Sequence, residues 1–371
     1  MRVGVDLLFI QPGRNRGTET YVQGLLTKLG GREDLELVLF TNKLNHRQFA
    51  ELSGVRIRET AISGANRLHR ILYQQAVLPG IARAEGCDLL FCPGYLAPVR
   101  GTVPTVVAIL DTQYLDVPTS VAVGQKVAYR AIVPLGARKS AAITTISEFS
   151  KRRIVEALKI APEKVSVTHL ASKVFFGPVL TGAQEQSFTE RHALSRPYFL
   201  SVSNRYPHKN ISGLIRAFVQ FKETTQADVD LVFVGSTLGA EERSLGIGSR
   251  NDIRFLGYVS DAELRVAYGR ARGFVLASYY EGFGLPVLEA MASGIPVACS
   301  EAASLPEVAG GAGLLFDPSS AASIGRALWI LYSDRERCDR LVREGYRNVA
   351  RFSWDRCADE THAVFRKVVK R

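Results

Sequence analysis

Short apolar runs alternate with amphipathic segments along this chain from end to end. That is the pattern of βα units wound around a parallel sheet, so an α/β fold is expected. The pattern opens with Val3-Gly4-Val5-Asp6-Leu7-Leu8, then a polar glycine loop and a helix from about Thr18. Further strands are expected at Leu35–Phe40, Leu89–Cys92, Val106–Leu110, Ala142–Ile146 and Val165–His169. It then starts again, with strands at Tyr198–Val202, Leu231–Gly235, Ile253–Leu256, Gly273–Ala277, Pro296–Cys299 and Gly313–Phe316. A length of 371 residues exceeds what one small core serves, so two domains are expected. Residues 176–197, rich in Gly, Pro, Gln and Ser, read as the linker between a domain at 1–175 and one at 198–352. A last amphipathic helix is expected from about Ser353 to Lys370.

Two Rossmann-like domains in tandem are expected to face each other across a cleft at the carboxyl ends of their sheets. No stretch approaches the roughly 20 apolar residues of a membrane-spanning helix. Met1 leads directly into a strand without a signal-peptide layout. The five cysteines (Cys87, Cys92, Cys299, Cys338 and Cys357) are odd in number and have no CxxC spacing. Neither a disulfide framework nor a zinc site is suggested, and a reducing cytoplasm fits best. The net charge of +11 gathers in the first half, at Arg67, His69, Arg70, Arg138, Lys139 and Lys151 to Arg153. Such clusters attract phosphorylated substrates or anionic lipid, and they also fit a plain solvated face. No zinc-finger, RNA-recognition or helix-turn-helix signature accompanies them, so no nucleic-acid partner is expected.

The chemistry concentrates in Ser278-Tyr-Tyr-Glu281-Gly-Phe-Gly284-Leu-Pro-Val-Leu-Glu289-Ala-Met-Ala-Ser-Gly294. A buried strand leads into a glycine loop, and Pro286 stands where a helix should begin. Backbone N–H groups around Gly284 and Leu285 then form a helix N-terminus, a ready anion site. Two glutamates near a helix start also suit the helix dipole. At the start of the same half, Ser203-Asn204-Arg205-Tyr206-Pro207-His208-Lys209-Asn210 lies between a strand and a helix. A cation there would stabilise a diphosphate leaving group as its bond breaks. Asp228-Val229-Asp230 spells a metal-binding DxD, but it directly precedes an apolar strand and is read as a turn. The six histidines have no metal-ligand spacing, so no metal is expected.

These residues resemble the glycosyltransferase family 4 enzymes, retaining transferases of the GT-B fold. Glu281-Gly-Phe-Gly-Leu-Pro-Val-Leu-Glu289 is similar to their paired-glutamate motif, and Ser203–Asn210 to their loop ending in Lys-Asn. The resemblance implies that Glu281 contacts donor-sugar hydroxyls and that Lys209 is the phosphate cation, with Arg205 assisting. Gly282, Phe283, Gly284 and Leu285 would line the sugar and β-phosphate, and Glu289 would accept from the ribose. Many relatives carry Gly-Arg where this chain has Ser203-Asn204, which leaves Asn204 as the residue at the second phosphate position. Arg16-Gly17-Thr18 resembles the family's first glycine loop, so Gly17 would face the diphosphate and acceptor. Leu110-Asp111 stands where many members have His-Asp, leaving Asp111 as a sugar or acceptor contact or as a cap on its own loop. The final helix would cross back onto the N-terminal domain.

The reaction so implied is front-face transfer with retention, without metal, cofactor or protein nucleophile. The nucleotide-sugar is a co-substrate, with mannose from GDP-mannose the first candidate and rhamnosyl, glucosyl and galactosyl transfer open. The acceptor would be a glycan or lipid-diphosphate-linked glycan of cell-surface polysaccharide synthesis. The enzyme would be cytoplasmic, with peripheral contact to anionic membrane through its basic N-terminal domain. A nucleotide-sugar epimerase on the same architecture and a non-catalytic carbohydrate-binding relative are the alternatives.

Overall fold

The computed structural model describes residues 1–13, 16–117, 123–172, 182–244 and 246–370, without the side chains of 16, 123–128, 242, 244 and 249. The chain divides into two compact units, Met1–Leu170 with Ser353–Arg371, and Ala171–Phe352.

The first unit is built on seven parallel strands: β1 (Arg2–Asp6), β2 (Glu36–Thr41), β3 (Val55–Glu59), β4 (Leu89–Cys92), β5 (Thr105–Ala108), β6 (Ala142–Thr145) and β7 (Val165–Val167). Their order is β3-β2-β1-β4-β5-β6-β7. Both faces are covered, so the central strands read as nearly unbroken apolar runs; Val3, Val5, Leu37, Leu39, Phe91 and Val107 are all fully buried. The edge strand β3 escapes the sequence reading because it reads Val-Arg-Ile-Arg-Glu, a half-exposed alternation without an apolar run. The last helix, Trp354–Val369, packs on the helix Arg16–Leu29. Gly24 makes this possible, since a Cβ there would overlap the Trp354 indole. Further along the same helix, Phe365 meets Phe91 of β4 edge to face at 5.1 Å.

The basic clusters of this unit are only partly surface. Arg70 is buried, with Nη1 3.4 Å from the Phe9 carbonyl. Arg153 pairs with both Asp116 and Glu156.

The second unit is built on six parallel strands: β8 (Tyr198–Val202), β9 (Asp230–Val234), β10 (Ile253–Phe255), β11 (Gly273–Leu276), β12 (Val297–Ser300) and β13 (Leu314–Phe316). Their order is β10-β9-β8-β11-β12-β13. Phe199, Phe218, Phe233 and Leu328 fill the core on one face of this sheet. Of the stretch 176–197 expected as a linker, residues 176–181 lie outside the described residues. Gly182–Arg191 is instead a helix of the second unit. Only Phe188 anchors it in the core, and Arg191 reaches Glu263 at 2.7 Å, so its sequence gave a polar, linker-like reading.

Strand order runs outward in opposite directions from the β1/β4 pair in the first sheet and from the β8/β11 pair in the second. Loops leaving the carboxyl ends of such a pair diverge and open a crevice, which is where open α/β sheets take ligands.

Candidate active site

In the second unit the two loops at the crevice carry the two stretches singled out in the sequence. After β8 the chain turns through Pro207–Lys209, passes Asn210 in the left-handed region (φ 53°) and enters the helix Ile211–Thr225. Asn210 is held there by its Nδ2, which donates to the Pro318 carbonyl at 2.8 Å. After β11 the chain runs through Ser278–Phe283 to Gly284 (φ 115°), which caps the helix Leu285–Ala292. That backbone conformation requires glycine, and a Cβ there would in addition sit 2.6 Å from Leu305 Cδ2. The helix begins at Leu285, which puts Pro286 at its second position, where the missing N–H still costs no intrahelical bond.

A backbone bond ties the loops together: Tyr279 N–H donates to the His208 carbonyl at 2.7 Å. Beside it, Lys209 Nζ donates to both carboxylate oxygens of Glu281, at 2.7 and 2.9 Å. Ser278 Oγ donates to the same Glu281 Oε1 at 2.7 Å. The pair is largely shielded, its side chains only 16% and 12% exposed, so water screens it weakly. Beneath it, Ser300 Oγ donates to the Ser278 carbonyl at 2.5 Å. Ser304 Oγ lies 2.9 and 2.6 Å from the carbonyls of Glu281 and Phe283 and shares its proton between them. These hydroxyls fix the carbonyls of the loop in place.

Glu289 lies in the following helix, 8% exposed, and its Oε2 accepts from Tyr268 Oη at 2.9 Å. Burial, then the Glu289 charge, pushes the Tyr268 hydroxyl well above its ordinary range, so it stays a donor. The Phe283 side chain is buried against Phe352, ring centroids 5.7 Å apart, which leaves its backbone to meet a ligand. Asn204 and Arg205 are exposed, and Arg205 lies against Gly239, in the loop after β9. Gly282 sits between Glu281 and Phe283, half-buried. Ser203 and Ser236 follow β8 and β9 and have buried hydroxyls without a hydrogen-bond partner.

In the first unit, Gly17 lies in the first turn of the helix after β1, with open space around it. Asp111 follows β5, where its Oδ1 accepts from Tyr95 Oη at 3.0 Å and from the Gln113 N–H at 3.1 Å. Asp111 is thereby bonded both to the chain after β4 and within its own loop. The DxD reading as a turn needs correction. Asp230 opens β9 at the amino edge of the sheet, opposite the crevice, and is buried in an ion pair with Arg196 at 2.8 Å. No group of three or more metal-ligating side chains occurs among the described residues.

Ser278 stands in the quoted stretch without having been given a role, and Ser300, Ser304 and Tyr268 carried no local signal. Their part emerges only when separate elements meet.

Two Rossmann-like units in one chain, each wound on a parallel sheet, are the makeup of the GT-B class of fold. The chain superposes over 99% of its length on 99% of the sucrose-phosphate synthase of Thermosynechococcus elongatus, with a TM-score of 0.77 at 18% identity. It likewise superposes over 99% of its length on all of the Anabaena protein HepE in complex with UDP-glucose, with a TM-score of 0.73 at 16% identity. Residues 183–348 match the family model described as glycosyl transferases group 1. The O-antigen chain mannosyltransferase B of Escherichia coli is 35% identical over 225 residues, 59% of this chain and 58% of that protein. The chain spans about half or less of the length of the first curated relatives it matches.

His208 precedes Lys209 and is 4% exposed, its ring stacked on Tyr206 at 5.6 Å. Burial, then the Lys209 charge, lowers its pKa from 6.5 to about 4. Between those values the unfolded chain binds a proton that the folded chain refuses, so this contribution to stability is complete above pH 6.5 and is lost as pH falls toward 4. A proton NMR titration of the folded protein is expected to place the His208 midpoint near 4, and His208→Gln should flatten the acid slope of stability. A midpoint near 6.5 would contradict this placement.

Proposed function

We propose that the chain is a retaining glycosyltransferase that moves a hexose from a nucleotide-diphosphate donor to a glycan or lipid-linked glycan acceptor of cell-surface polysaccharide synthesis. The observation that carries this reading is the bidentate Lys209–Glu281 pair at the β8/β11 crevice, beside the helix N-terminus at Gly284 and Leu285. Lys209 has three N–H bonds, and its two contacts with Glu281 leave the third for a phosphate oxygen. The helix adds roughly half a positive charge at its tip. Together they stabilise the diphosphate as it takes the electrons of the breaking glycosidic bond. Glu281, held by Lys209 and Ser278, accepts from donor-sugar hydroxyls, and Glu289 accepts from the ribose.

Retention follows from attack on the face from which the diphosphate leaves, with the departing phosphate taking the acceptor's proton. The reading requires no protein nucleophile and assigns charge stabilisation to Lys209 and the helix tip rather than to a metal ion. Mannose, carried by GDP, is the favoured sugar, supported by the mannosyltransferase name of the Escherichia coli relative. The HepE complex with UDP-glucose supports a nucleotide-sugar donor in this class of fold. Gly17 is assigned to the diphosphate and acceptor, and Asp111 to the donor sugar or acceptor.

The same reading places the enzyme in the cytoplasm, at the inner face of the membrane. Among the described residues no helix is long and apolar enough to cross a membrane. The helix Arg67–Ala76 carries Leu68 and Leu72 four residues apart, 69% and 58% exposed. The charge of Arg58 on β3 reaches Tyr73 of this helix, and Arg67 is exposed at its start. An apolar stripe flanked by cations suits the boundary of an anionic bilayer. Sedimentation with phosphatidylglycerol-containing vesicles should carry down the wild type, with severalfold less of a Leu68→Glu/Leu72→Glu variant; equal sedimentation of the two would argue against this surface.

The donor reading is tested by thermal-shift screening against GDP-, UDP-, dTDP- and ADP-sugars, followed by turnover of the donor that stabilises the chain. Lys209→Ala is expected to lower turnover by about a hundredfold or more, as loss of a fixed transition-state donor does. Near-normal rates for that variant with every donor would overturn the proposal.

A further inference from the structure

Glu289 is a carboxylate set into an apolar helix. Its neighbours Val287, Leu288, Ala290 and Met291 are all buried, and it is itself only 8% exposed. A carboxylate so placed needs hydrogen bonds to remain charged. Tyr268 supplies one from a different helix, Asp261–Gly269, with its Oη 2.9 Å from Glu289 Oε2 and at the outer limit, 3.5 Å, from the Pro286 carbonyl. The single hydroxyl proton therefore goes to Glu289.

The tyrosine is itself rigidly held. It is fully buried with its ring against Phe274 of β11, centroids 5.7 Å apart. Its helix starts in a reciprocal cap between Ser260 and Glu263. The carbonyl of the preceding residue, Ala267, accepts from Tyr198 Oη at 2.8 Å. Fixing one carboxylate oxygen from a rigid donor fixes the plane of the whole group, and so the direction from which its lone pairs can be approached.

We infer that Tyr268 is a positioning residue for Glu289, and through it makes the site select a donor whose nucleotide carries a ribose 2′-hydroxyl. This rests on the reading of Glu289 as the ribose acceptor. A site built to accept a particular hydroxyl rejects the analogue that lacks it, because its own buried polar group is then left without that bond. Among the nucleotide classes open to this fold, the inference favours ribonucleotide donors and disfavours dTDP-sugars, which have no 2′-hydroxyl.

The test uses the full chain and calorimetric binding of GDP and UDP, each against its 2′-deoxy counterpart. The wild type should bind the better ribonucleotide about tenfold more tightly than its 2′-deoxy form, the worth of one hydrogen bond to a charged group. Tyr268→Phe removes one oxygen and should weaken the ribonucleotide by roughly that factor while changing the 2′-deoxy form by less than about twofold. Tyr268→Met, a flexible apolar replacement, carries the same expectation should the phenylalanine chain not fold. A Tyr268 variant that weakens both forms equally, or neither, overturns the positioning role and leaves the ribose reading standing. A wild type that does not distinguish the two forms overturns the selection for a 2′-hydroxyl, and the inference with it. Glu289→Ala separates these cases further, since it removes both acceptor oxygens and is expected to abolish the discrimination if Glu289 reads the 2′-hydroxyl.

Discussion

The second unit depends on one adjacency: β8 and β11 lie side by side while the chain winds away from them in opposite directions. Two loops 72 residues apart are thereby brought to the same crevice and joined, first by the Tyr279–His208 backbone bond and then by Lys209 and Glu281. Removing two charges from water is costly, and a shielded ion pair is a poor device for stability alone. Its geometry is better understood as preparation. An ammonium held by two carboxylate oxygens cannot swing, and a carboxylate held by Lys209 and Ser278 cannot rotate.

Stabilisation of charge in a transition state requires such groups to be fixed before the charge develops, so that no reorganisation accompanies the bond-breaking step. The surrounding residues serve that end. Ser304 gathers the carbonyls of Glu281 and Phe283, and Ser300 holds the strand-end carbonyl of Ser278. Gly284 turns the chain into the helix with a φ no other residue adopts easily. His208 is kept neutral by burial and by Lys209, so its ring adds packing rather than a second cation. The cation held against Glu281 at this crevice is Lys209, beside the helix tip.

The two loops were legible in the sequence because their chemistry is local. Glycine at a turn, proline in a first helical turn and a lysine between strand and helix each announce a geometry without reference to distant residues. The buried parallel strands were legible because both faces are covered and apolar residues dominate them. What was not legible depends on tertiary contact. Tyr268 reads as one more apolar-face residue of an amphipathic helix, and only its meeting with Glu289 gives it a role. The strand β3 lacks an apolar run because it is an edge, and the helix Gly182–Arg191 reads as polar chain because one phenylalanine anchors it. Arg70 counted as surface charge in the sequence, yet the fold buries it beside a backbone carbonyl.

A crystal structure of the chain with GDP or UDP bound addresses the central claim most directly. The account predicts Lys209 Nζ within about 3 Å of a phosphate oxygen, with Glu281 still at its side and the diphosphate over the N-terminus of the helix Leu285–Ala292. A diphosphate bound away from Lys209 and from that helix tip would contradict it.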